Sequence, residues 1–166
     1  MTLIRTLLVA ALVAALAPAQ QNVGINVFRG PVTTSGVLCG FDCNSRSNVG
    51  RSSVQPFDSI GVRLLGDAGL PAAVIFGLSP SAAVCPGIVL PGIGNSLLID
   101  PTTLIAGPVS ASLTGANRSC NATANQPVLN GFIVPFAASG ITITVQGLVH
   151  DGGRAAFTRP IEITVQ

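Results

Sequence analysis

Apolar and polar residues alternate most cleanly at the C-terminal end of the chain. In Ile141-Thr-Ile-Thr-Val-Gln-Gly-Leu-Val149 the pattern puts Ile141, Ile143 and Val145 on one face and Thr142, Thr144 and Gln146 on the other. Pro160-Ile-Glu-Ile-Thr-Val-Gln166 repeats it, with Ile161, Ile163 and Val165 inward and Glu162 and Thr164 outward. Between the two lies Asp151-Gly-Gly-Arg154, a turn signal, so the strands either pair directly or bridge two sheets. Gly147 within the first strand marks a bulge or a close approach of backbone. Further short stretches rich in Val, Ile, Thr and Phe predict strands over 23–28, 59–65, 73–78, 96–99, 109–113 and 131–135, about eight in all. Loops are expected over 80–94 and 115–127, and 40–53 reads as an exposed polar loop. No amphipathic helix is found past the N-terminus, because Gly (19) and Pro (12) interrupt every periodic segment. The expected fold is all-β, a β-sandwich of jelly-roll or Ig-like type.

The N-terminus has a different pattern. A short start with Arg5 leads into an unbroken apolar run, residues 7–17, and then Ala17-Pro18-Ala19. This is the three-part order of a secretory signal peptide. The run is shorter than the roughly 20 residues that span a bilayer. Residues 1–19 are therefore read as a cleaved signal peptide and 20–166 as a single secreted domain, free or associated with the cell envelope, with no membrane span after cleavage.

Composition changes the picture in two ways. Charged residues make up only 8% of the chain, with no Lys, Trp or Tyr, one Glu (Glu162) and one His (His150). A dense basic stripe with aromatic platforms, as in nucleic-acid binders, is missing, and nucleic acid is not an expected partner. So weakly charged a surface repels its own copies little, which favours self-association or contact with cell-surface components. The four cysteines, Cys39, Cys43, Cys85 and Cys120, read as two disulfides in an exported chain. Three connectivities are open. The favoured one is Cys39–Cys43, across a turn at Gly40 and Asp42, with Cys85–Cys120 closing a long loop worth about 4 kcal/mol. The spacing does not fit the common zinc knuckles, and no metal or other cofactor is expected.

Candidate chemistry is sparse. His150-Asp151 is the one adjacent pair suited to acid–base work, but no Gly-x-Ser-x-Gly elbow accompanies it, and an exposed His beside a turn Asp accounts for it. Asp42, Asn44, Arg46 and Asn48 form a polar loop that suits interaction better than calcium, whose loops carry several carboxylates at fixed offsets. Glu162 and five dispersed Asp offer no opposed pair for glycoside hydrolysis. Asn117-Arg-Ser119 and Asn121-Ala-Thr123 have the form of glycosylation sequons flanking Cys120.

Asn95-Ser-Leu-Leu-Ile-Asp-Pro101, Gly107-Pro-Val-Ser-Ala-Ser-Leu113, Gly140-Ile-Thr-Ile-Thr-Val-Gln-Gly-Leu-Val-His-Asp151 and Arg159-Pro-Ile-Glu-Ile-Thr-Val165 together resemble a group of small secreted β domains of planctomycete-type bacteria. Gln146-Gly-Leu-Val-His-Asp151 carries the likeness best, which covers roughly residues 58–166. The resemblance implies a β-sandwich in an extracellular or surface setting and no particular activity. Three functions follow in order. The first is a secreted, non-catalytic β-sandwich with a structural or surface-interaction role. The second is an extracellular glycan- or protein-binding module using the loops at 40–53 or 115–127. The third is an exported hydrolase centred on His150 and Asp151.

Overall fold

The computed structural model describes residues 23–30, 32–33, 38–39, 49–78, 87–113 and 126–166. The expected signal peptide, Asp42, Asn44, Arg46, Asn48, Cys43, Cys85, Cys120 and both sequons lie outside these residues.

Within them the chain is all-β and builds two main sheets. The first contains β1 (Gly24–Arg29), β2 (Val32–Thr33), β3 (Leu38–Cys39), β5 (Ser59–Leu65) and β10 (Gln126–Ile133). Its order is β10-β5-β1, with β2 and β3 covering the two ends of the far edge of β1. The second contains β4 (Gly50–Val54), β6 (Pro71–Gly77), β9 (Leu104–Ser112), β11 (Thr142–Asp151), β12 (Arg154–Phe157) and β13 (Ile161–Val165), in the order β4-β13-β11-β6-β9. A small third sheet pairs β7 (Ile88–Val89) with β8 (Ser96–Leu97).

The two main sheets face each other across one core. From the first come Ile25, Val27, Ile60, Val62 and Leu64, and from the second Val54, Val74, Val145, Val149, Ile161, Ile163 and Val165. These are the alternate positions of their strands, as the two-residue period requires. The inward set predicted for β13 is confirmed, and Ile143 and Val145 of β11 point to this core. Ile141 does not. It precedes β11 and is exposed.

β11 and the chain that follows it form a direct antiparallel hairpin. Asp151 pairs with Arg154, leaving Gly152 and Gly153 as a two-residue turn with φ of +60° and +82°. Two positive φ values in succession define the type I′ turn that matches strand twist, and Gly takes them without strain. The returning strand breaks at 158–160, where Pro160 has no N–H to give the ladder. Thr158 fills the gap. Its N–H donates to Gly147 O at 2.8 Å, and its Oγ1 accepts from Gly147 N at 2.9 Å. A Cβ on Gly147 would sit 2.5 Å from Leu64 Cδ2, so the close approach predicted there is real.

The second sheet is buried on its other face as well. Residues 87–100 lie across it as a strap, and Leu97 and Ile99 pack with Phe157, Ile75, Ile93 and Leu148. Two side chains fasten the strap. Asn95 Oδ1 accepts from Phe157 N at 2.6 Å while its Nδ2 donates to Phe157 O at 2.7 Å, so one carboxamide replaces a strand neighbour. Gln146, fully buried, accepts from Leu98 N at 2.8 Å and donates to Ser96 O at 3.2 Å and Thr158 O at 3.0 Å.

Several expectations need correction. Thirteen strand segments occur among the described residues, against about eight expected. The extra ones are short or polar. β4, which begins in the stretch expected over 40–53 to be an exposed loop, reads Gly-Arg-Ser-Ser-Val and lies parallel to β13 with Gly50, Ser52 and Val54 buried. β7 falls inside the loop expected over 80–94, and β10 begins at Gln126, inside the one expected over 115–127. Glu162 lies on an internal strand, between β4 and β11, with its carboxylate 3.4 Å from Arg51 Nε.

Candidate functional site

The most distinctive described surface lies where β4 passes to β5 and β10 ends. Gln55-Pro56-Phe57-Asp58 forms a turn closed by Asp58 N donating to Gln55 O at 3.1 Å. Pro56 fixes the second position, and Phe57 takes the third with φ of +71°. A turn with Pro second and positive φ third ordinarily has Gly there. Among the described residues Phe57 is the one non-glycine with positive φ, a conformation that costs about 1–3 kcal/mol and persists only where its surroundings enforce it.

The surroundings do so through four contacts. Phe57 N donates to Val134 O at 2.8 Å, and Val134 N donates to Asp58 O at 3.0 Å. Asp58 Oδ2 accepts from Gln55 N at 2.7 Å and meets Arg29 Nη1 at 3.2 Å. The strain is not repaid by burial of the ring, because Phe57 is 70% exposed. It lies against Phe136, 69% exposed, with ring centroids 6.4 Å apart and planes 20° from parallel. Phe136 is held by a short 3-10 turn, Phe136–Ala138, after the extended Pro135. Phe132 and Ile133, leading into this turn, and Ile141, leaving it, are exposed too.

Chemically this end of the sandwich offers an apolar, aromatic surface with its nearby charges paired. Among the described residues at this end there is no His or Cys, and the Asp58 carboxylate is engaged by Gln55 N and Arg29. The sequence reading did not single out either ring. The signal available was the pair of Pro-Phe dipeptides, Pro56-Phe57 and Pro135-Phe136, each placed where a strand gives way to a turn.

The residues that reading did single out are placed differently. His150 lies on β11 with Nδ1 3.1 Å from Pro71 O, and its backbone O accepts from Asp67 N at 2.7 Å. Asp151 is the first residue of the I′ hairpin and pairs with Arg154. Asp67 Oδ2 accepts from Gly153 N at 3.3 Å, so the neighbouring carboxylate braces the turn. Among the described residues no three His, Cys, Asp or Glu side chains gather as a metal site, and no helix is long and apolar enough to cross a membrane. Cys39 is half-buried on β3, opposite Gly24 of β1, and no described cysteine is free.

One perturbed carboxyl is visible. The Thr102 hydroxyl and backbone N–H, both donating to Asp100 Oδ1, hold the Asp100 carboxyl below its ordinary value of 3.8. Asp100 caps the 3-10 turn Pro101–Thr103, a structural task. One polar group is unexplained by packing. Asn26 is fully buried on the outer face of the first sheet, and neither its Oδ1 nor its Nδ2 has a hydrogen-bond partner among the described residues. Near it on that face, the Arg63 guanidinium stands 4.3 Å over the Phe28 ring.

Compared with family models, with curated proteins and with solved structures, the chain finds no match.

Proposed function

We propose that this is an exported, disulfide-bonded, non-catalytic β-sandwich with a structural or surface-interaction role, as in the secreted β domains it resembles. The observation that carries the reading is the exposed Phe57 ring, held at positive φ against an equally exposed Phe136. Strain kept at an exposed apolar residue is of no use to folding, and such features gather at sites that bind. The apolar run before Ala19 and the four cysteines support export into an oxidising compartment. Cell-surface components or further copies of the chain are the partners such a surface suits.

The test is fractionation of cells making the full chain, wild type beside the double variant Phe57→Gly, Phe136→Ser. Both are expected in the exported fraction in equal amount. Wild type is expected in envelope-bound or assembled form, and the variant as free protein. An unchanged distribution of the variant would refute the role given to the two rings, and retention of wild type inside the cell would refute export.

A further inference from the structure

An unpaired strand edge offers its N–H and C=O groups to any extended chain, and charged side chains, above all Lys, are a common defence. This chain has no Lys and only 8% charged residues. Its described sheet borders are defended largely by the backbone instead. β9, at one border of the second sheet, contains Pro108 and two register shifts against β6. β10, at the border of the first, contains Pro127 and two register shifts against β5. Proline lacks the N–H that a new neighbour would need, and a bulge bends the ladder away from it. β4, at the other border of the second sheet, is short and carries the exposed Arg51. β2 and β3 are two residues each.

β12 is defended differently. It reads Arg-Ala-Ala-Phe, with its charge at the turn, no proline and an unbroken register against β11. Its other side continues the border that β4 covers along β13, where Gly50 N donates to Pro160 O at 2.9 Å. Past that point residues 93–95 of the strap take up the same line. Ile93 bridges Ala155 in parallel, as β4 lies parallel to β13, and Gly94 N donates to Ala155 O at 2.9 Å. At Phe157 a side chain takes over from backbone: Asn95 Oδ1 accepts from Phe157 N at 2.6 Å and Nδ2 donates to Phe157 O at 2.7 Å. A carboxamide carries the donor and acceptor of a peptide group, so it can close a ladder as a neighbouring strand would.

We propose that Asn95 is an edge guard: its carboxamide completes the ladder of β12 and keeps the returning strand from accepting a strand of another chain. This goes beyond the role given to the two rings and does not depend on it. The other described borders are guarded by proline, bulge, charge or brevity. This one is guarded by two hydrogen bonds from a single side chain, so a single substitution opens it. The rest of the strap stays attached when Asn95 is lost. Gln146 still holds Leu98 and Ser96, and Leu97 and Ile99 still pack with Phe157, Ile75 and Leu148. Phe157 N and O are then left for a new neighbour.

The test combines amide exchange at Phe157 with sedimentation velocity on mature protein, disulfides intact, for wild type, Asn95→Ala, Asn95→Asp and Gly147→Ala. In wild type the Phe157 amide is expected to be protected, and in Asn95→Ala to exchange at least tenfold faster. Asn95→Ala is expected to associate at a concentration at least tenfold below wild type, with the infrared signature of strands paired between chains. Asn95→Asp keeps an acceptor for Phe157 N and puts a charge on the border, so it is expected to associate no more than wild type. Gly147→Ala strains the core without touching Asn95 or Phe157 and is likewise expected to match wild type. A Phe157 amide that exchanges in wild type as fast as an unpaired one overturns the proposal. So does an Asn95→Ala variant that associates no more readily than wild type. Association of Gly147→Ala or Asn95→Asp to the same extent as Asn95→Ala would overturn it too, and assign the effect to lost stability rather than to an opened edge.

Discussion

Gln146 is the residue whose replacement tests the architecture most sharply. Its carboxamide ties three parts of the molecule together at one buried point. It lies on β11, caps the strap through Leu98 N and Ser96 O, and closes the β12–β13 break through Thr158 O. Replacing it with Ala removes three hydrogen bonds from a fully buried site. A typical bond contributes about 0.5–1.5 kcal/mol net, and a buried group left unpaired costs about 1–3 kcal/mol. One or two of the abandoned groups can recover a partner if water enters the space, so the expected loss is about 3 kcal/mol. The strap should loosen first, because Leu97 and Ile99 are its main remaining apolar anchors. Urea denaturation gives the global loss, and amide exchange at Leu98 reports the strap. A loss under about 1 kcal/mol with Leu98 still protected would refute the view that Gln146 holds these three segments together.

Three other perturbations bear on separate parts of the account. Gly147→Ala puts a Cβ against Leu64 and Thr158 in the core and should cost about 1–3 kcal/mol by overpacking, read as a lower melting temperature; an unchanged melt would mean the sheets are less tightly packed. Asn26→Leu removes a buried amide that has no partner among the described residues and should stabilise the fold by about 1 kcal/mol or more; destabilisation in a denaturant series would show the amide to be satisfied. The lowered Asp100 carboxyl gives its capping contribution above 3.8 and loses it as the pH falls through the lower folded-state value. An NMR titration of that carboxyl should place its midpoint below 3.8, and a midpoint at or above that value contradicts the cap.

The fold was legible where side-chain chemistry and local period agreed. β11, its Gly-Gly turn and β13 could be read from alternation and turn residues alone, because one face of each is packed on the main core. β4 could not, since Arg51 and Ser53 dominate its composition and its buried positions are Gly50, Ser52 and Val54; tertiary pairing with β13, not propensity, makes it a strand. The outer face of β11 misled in the opposite sense. Thr144 and Gln146 look like solvent-facing residues, yet both are buried, because a strap from elsewhere in the chain covers them. The candidate site was hidden for a related reason. Phe57 and Phe136 look like core residues by type, and only the turn that fixes Phe57 reveals that the ring is turned out.

Export in disulfide-bonded form is the claim on which the proposed role rests, and intact mass spectrometry of protein from the native exported fraction tests it most directly, with and without reduction. A chain beginning at Gln20 that gains four protons on reduction, two for each disulfide among the four cysteines, is the predicted result. A chain retaining Met1, or one with four free thiols before reduction, would contradict it.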